Sequence, residues 1–222
     1  MSHLTRALAL LVGLAALVAT PPAVASYDGP THSGPSHQHG TTTDSTVSTG
    51  HHQVRHIRRA TARFHNIATA ETAGYVLLKD LDGITCIDMP GLGGMGVHYV
   101  KPELIANPAI RAGSPEALVY APDRDGTLRL AALEYLVDRA AWDAQHPRRP
   151  HLFRGHPFDL TPAPNRFGLD PFYSQHVWAW KANRAGLLAM WNPAVKCAWA
   201  SGVTGTHVAW SHPWLAGKAR AV

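Results

Sequence analysis

Residues 117–137 read ALVYAPDRDGTLRLAALEYLV, two apolar runs around a spacer built for chain reversal. Pro122 fixes its own φ, Asp123 and Asp125 can hydrogen-bond their own backbone, and Gly126 is free to take positive φ. The stretch therefore predicts a β-hairpin, the strongest such signal in the chain. Successive side chains alternate along a strand. Leu128, Leu130, Ala132, Glu134 and Leu136 should then share one face, with Arg129, Ala131, Leu133, Tyr135 and Val137 on the other. Glu134 thus stands in an otherwise apolar row. A carboxylate there must be paired, hydrogen-bonded, metal-bound or protonated, because a bare buried charge is too costly.

The segments around the hairpin complete the fold class. From Val54 to Ala73, the residues Val54, Ile57, Thr61, Phe64 and Ala68 recur at three-and-four spacing, with Arg55, Arg58, Arg59 and Arg63 largely off that stripe. This is an amphipathic helix, and Gly74 is its natural stop. GYVLL, ITCIDMP, VHYV and FYSQHVWAWK read as further strands, and a Pro-rich stretch runs from His146 to Pro171. The expectation is a single α+β domain over 54–200, with one N-terminal amphipathic helix packed on a small antiparallel sheet and Pro-rich loops between.

The first residues give an address. MSHLTR is basic, LALLVGLAALVA is a short apolar run, and Ala23-Val24-Ala25 is a small-residue cleavage site. Residues 1–25 therefore read as a secretory signal peptide, too short to be a membrane span, and the protein is expected to be secreted or extracytoplasmic. Residues 26–53 are rich in Gly, Ser, Thr and His, with His32, His37, His39, His51 and His52 among them. They lack the apolar groups that would offset chain entropy, so they read as a disordered linker, a polar tether able to chelate metals only weakly. Residues 201–222 read as a C-terminal extension. The chain has two cysteines, Cys86 and Cys197. In an oxidising compartment an isolated pair is most simply a disulfide.

The whole chain carries a formal charge of +5. Its basic residues gather in RHIRRATAR (55–63) and HPRRPHLFRGH (146–156), with no nucleic-acid recognition motif beside them. Solvated faces, or loose attraction to anionic cell-envelope polymers, are what these patches suggest, rather than nucleic acid.

Histidines on other strands are the candidate companions of Glu134. In FYSQHVWAWK, alternation aligns Phe172, Ser174, His176, Trp178 and Trp180; in MGVHYV, His98 precedes Tyr99. Two imidazoles and one carboxylate can form a facial metal triad with open positions, so His98, Glu134 and His176 are the candidate ligands of a divalent metal ion. The same residues can form an acid/base pair, with Glu134 and His176 as the catalytic groups. His98, Tyr99, Trp178 and Trp180 are the candidate pocket walls for a small molecule. A satisfied core network in which nothing reacts is the plain alternative. GLGGMG (91–96) matches G-x-G-x-x-G, but Pro90 precedes it and a strand follows, so it reads as a flexible loop beside His98 and not a dinucleotide site. His151 and His156 read as polar loop surface. Ser174 and Ser211 lack the G-x-S-x-G context of a hydrolase nucleophile.

The set MGVHYV (95–100), EALVYAPD (116–123), LRLAALEYLV (128–137) and HVWAWKANRAGLLAMWNPAVKC (176–197) resembles a family of uncharacterised exported bacterial proteins. That resemblance spans roughly residues 58–197 and implies export and a shared fold, but no reaction. PGLGGMGVH (90–98) is similar to the first cupin motif, yet Val100 stands where that motif needs a second histidine. These readings converge on a small-ligand or metal-binding domain, with a metal-dependent or acid/base enzyme and a non-catalytic envelope-associated protein as alternatives.

Overall fold

A computed structural model describes residues 42–200 and 207–208. The predicted signal peptide, residues 26–41 of the predicted linker and most of the C-terminal extension lie outside the described residues. No helix among the described residues is long and apolar enough to cross a membrane.

The helical stretch is present but broken. Helix α1 (Thr42–Thr61) begins within the sequence read as linker, a 3-10 turn covers Ala62–His65, and α2 (Ile67–Thr72) follows. Asn66 separates the pieces: its extended backbone ends the 3-10 turn, and its side chain accepts from the Ala68 amide to cap α2. Gly74 stops the run at φ +90°, a conformation costly for any residue with a Cβ.

The strands are β1 (Val76–Leu78), β2 (Cys86–Met89) and β3 (Gly93–Val100), then β4 (Ala117–Pro122) and β5 (Leu128–Asp138) after the short α3 (Pro102–Ile105). After α4 (Arg139–Asp143) come β6 (His151–Phe153), β7 (His156–Pro157), β8 (Asp159–Thr161) and β9 (Phe172–Val177), with β10 (His207–Val208) last. The main sheet runs β10-β1-β3-β4-β5-β9-β8, and β2 pairs with β3. All its pairings are antiparallel except that of β1 with β10. The α+β architecture with an antiparallel sheet is as expected, and β4–β5 is the predicted hairpin, its turn closed by the Asp123 amide donating to the Thr127 carbonyl at 2.8 Å.

Helices cover one face. Ile57, Phe64 and Ala70 pack there against Val97, Tyr99, Leu118, Tyr120, Leu133, Tyr135, Val137, Tyr173 and Val177. The far face carries two smaller apolar clusters. One holds Val119, Ala121, Ala132, Trp178 and Val195; the other holds Leu78, Val100, Ala117, Leu136 and Phe172, with Phe167 and Leu169 against it.

The predicted row on β5 is interrupted. Val119 pairs with Ala132 but Tyr120 pairs with Leu130, so Ala131 is an extra residue, a β-bulge. One inserted residue reverses the phase of everything before it. Leu128 and Leu130 accordingly join the helix-side core, while Ala132, Glu134 and Leu136 occupy the far face.

GLGGMG is not a loop opening to a ligand. Gly93, Gly94 and Gly96 lie in β3, and a Cβ on Gly93 would stand 2.2 Å from the Asn192 carbonyl oxygen; one on Gly94 would stand 2.7 Å from Val195. The glycines admit the chain's own segment at 192–195, which bridges Gly94 through Asn192. The disulfide Cys86–Cys197 then ties that segment to β2, with Cα atoms 5.4 Å apart across a separation of 111 residues. Closing so long a loop stabilises the fold by about 4–5 kcal/mol in the chain-entropy picture.

Candidate metal centre

His98, Glu134 and His176 meet on the far face because of strand register. Ala117 on β4 lies opposite Glu134 on β5, and Glu134 lies opposite His176 on β9. His98 on β3 is opposite Val119, one rung further along the same face. It must therefore reach diagonally over β4, where the short side chain of Ala117 leaves room. All three residues are buried; Glu134, at 8 % exposure, is the most accessible.

The His98 Nε2 and His176 Nε2 atoms are 3.2 Å apart, and Glu134 Oε2 is 3.4 Å from His98 Nε2. The other carboxylate oxygen stands 3.8 Å from His176 Nδ1. One donor atom from each residue can be chosen so that all lie within 4.8 Å of one another. Ligands about 2.0–2.1 Å from a tetrahedral ion are roughly 3.3 Å from each other. Two of the donor pairs stand near that spacing, so the cluster could hold a metal ion.

Burial sets the charge states. It pulls His98 down to about 4, His176 adding to the effect while Glu134 opposes it, and it pulls His176 to about 4 as well. Both imidazoles are neutral at pH 7, the form that ligates metals. Burial pushes Glu134 up, opposed by His98 and by a hydrogen bond from Ser174. His98 Nδ1 has no hydrogen-bond partner of good geometry, although the Gly96 main chain exerts a weak favourable pull on its ring.

The remaining predicted site residues divide between the faces. Trp178 is beside the cluster, its ring stacked on His176 with centroids 6.2 Å apart. Tyr99 is not: as the neighbour of His98 it points to the opposite face, where its ring meets Tyr120 at 5.3 Å. Trp180 also lies on the helix side, since β9 ends at Val177 and the Ala179 amide turns back to the Val177 carbonyl. Its indole donates to Thr61 and packs against His65. His151 and His156 are exposed on the separate β6–β7 pair. Of the helix arginines invoked for envelope contact, Arg58 is engaged, donating to the Ala179 carbonyl.

Two further residues have roles that the local sequence does not give. Ser174, buried on β9 one rung from His176, steadies the Glu134 carboxylate; the two-residue offset from His176 was its only signal. Glu116, 1 % exposed, accepts from the Leu136 amide and is pushed up to about 8, chiefly by burial. Nothing in its local sequence distinguishes it from a turn residue.

Comparison with known proteins adds no assignment: no family model, curated protein or solved structure matches the chain.

Proposed function

We propose that this protein is an exported domain that binds one divalent first-row transition-metal ion through His98, Glu134 and His176. The observation that carries the reading is convergence. Two imidazole Nε2 atoms face each other at 3.2 Å, with a carboxylate oxygen beside one of them. One donor atom from each of the three residues lies within 4.8 Å of the others, which supports a shared ion. Two imidazoles favour a transition metal over Mg²⁺ or Ca²⁺, which prefer oxygen ligands. Ser174 holds the carboxylate, as outer-shell partners do in metal sites. The Cys86–Cys197 disulfide fits the oxidising compartment that the N-terminal residues imply.

Three protein ligands leave at least one coordination position for water or a small molecule. That open position favours a second reading, metal-dependent chemistry with Glu134 as ligand or base.

The test is elemental analysis of purified full-length protein after dialysis, beside His98→Ala and Glu134→Gln. About one equivalent of metal in the parent, lost in both folded variants, is the expected result. Metal that persists in both variants would belong to the histidine-rich N-terminal region instead, and would overturn the assignment.

A further inference from the structure

The β5 bulge shapes a second site, apart from His98, Glu134 and His176. By turning Leu128 and Leu130 to the helix side, it sets them in the lining of a cavity of about 440 Å³ that Trp180 also lines. That volume is within the range of small-molecule pockets. The bulge carbonyl fixes the opposite wall, since Ala131 accepts from the amides of both Trp180 and Lys181, at 3.0 and 2.9 Å. The aromatic wall and the cation beside it are thus held by one backbone oxygen.

The charges around this cavity are unbalanced. Arg129 and Asp123, both in the lining, neutralise each other through an Nε–Oδ2 contact of 2.5 Å. Lys181 lines the cavity too, and among the described residues its ammonium has no acidic partner. Arg58 adds positive potential, its guanidinium 5.8 Å from the Trp180 ring centroid, and the His65 ring stands T-shaped to the same indole with centroids 4.4 Å apart. An apolar floor, an indole wall and a surplus cation together specify a ligand with a flat apolar body and one anionic group.

We infer that this cavity binds a small aromatic carboxylate, with the ring against Trp180 and Leu128 and the carboxylate on Lys181. None of His98, Glu134 and His176 lines this cavity, so the site is separate from the metal ligands.

The experiment is an amide and indole NMR titration of the full chain, with EDTA present so that metal plays no part. The probes are 2-naphthoate, the neutral 2-naphthamide and the cationic 2-naphthylmethylamine. The Trp180 indole N–H, which donates to Thr61 at 3.1 Å, is the reporter. Saturable naphthoate shifts at Trp180 and Lys181 are expected, with the amine at least about tenfold weaker. In Lys181→Glu, naphthoate should weaken by about tenfold or more while naphthamide is unchanged. The inference fails if naphthoate gives no saturable shift, if the shifts centre on Glu134 and His176, or if Lys181→Glu leaves naphthoate binding unaltered.

Discussion

The two faces of the sheet treat buried polar groups differently. On the helix side, the buried tyrosine hydroxyls near the helices and the Glu116 carboxyl are settled by backbone, whereas Tyr173 and Trp180 donate to the side chains of Asp143 and Thr61 and Gln175 Oε1 has no partner among the described residues. Tyr75, Tyr120 and Tyr135 donate their hydroxyls to the carbonyls of Pro115, Phe64 and Ala112, each at 2.7 Å. Glu116 accepts from the Leu136 amide. On the far face, His98, Glu134 and His176 depend chiefly on one another, with Ser174 beside the carboxylate and the Gly96 main chain beside His98. Polar atoms that a fold places for its own stability are paired with whatever backbone is nearest. Three ionisable side chains that lean chiefly on one another are arranged differently, and here the spacing fits an ion.

That contrast can be broken by substitutions whose effects separate stability from binding. The largest stability loss belongs to the helix side. Leu133→Ala removes a side chain that is fully buried in the main core and should cost about 3 kcal/mol in denaturant unfolding, within the usual range for such truncations. Metal content should be unchanged while the variant remains folded. Loss of metal in the folded variant would mean that the two faces are not energetically separate.

Glu116 sharpens the comparison through pH. Its carboxyl is raised from 4.5 to about 8, so between those values the folded chain holds a proton that the unfolded chain has released. Stability is fully present below about 4.5 and is lost as pH rises through that window. Glu116→Gln mimics the protonated form and should remove this part of the decline. The gain over the parent should grow by roughly 2–4 kcal/mol between pH 5 and pH 8, judged from 1.4 kcal/mol per unit. Thermal unfolding at both pH values measures it, and an equal difference at pH 5 and pH 8 would show that Glu116 is not held neutral.

How much of this was legible depended on whether a residue's role is written in its neighbours. The hairpin is visible because strand alternation and turn chemistry are local, and Glu134 is conspicuous because it interrupts an apolar row. The helix stop at Gly74 is local for the same reason. The bulge at Ala131 has no such signature, since an inserted alanine looks like any other, yet it decides which side Leu128 and Leu130 occupy. Trp180 departs from the alternation expected of it because β9 ends at Val177. Tyr99 lies away from the His98 pocket because adjacent residues in a strand point to opposite faces. Gly93 and Gly94 answer to Asn192 and Val195, far along the chain, and no local pattern records that contact. Elements are local, and the site is the product of register.

A smaller effect tests how well the helix-side polar groups are settled. Tyr135→Phe removes the donor to the Ala112 carbonyl without altering the packed ring. A net loss of about 1 kcal/mol is expected, the usual worth of one such hydrogen bond, and chemical denaturation resolves it. A loss several times larger would indicate that this hydroxyl belongs to a wider network, and that the helix side is less local in its pairing than its distances imply.

The smallest stability change should come from the residue on which binding depends most. Glu134→Leu replaces a buried carboxyl with a side chain that matches Ala132 and Leu136 on the same face. Replacing buried charged groups with well-packed apolar ones is often neutral or stabilising, because their desolvation offsets their attraction. His98 and His176 are already neutral at pH 7 and retain their contact with each other, so no charge is stranded. Metal-free Glu134→Leu should therefore unfold within about 1 kcal/mol of the parent, yet bind no metal in elemental analysis. A large destabilisation would make Glu134 a structural group after all, like Glu116 behind it. Unchanged stability with abolished binding would leave the far face as the part of this sheet maintained for its ligand.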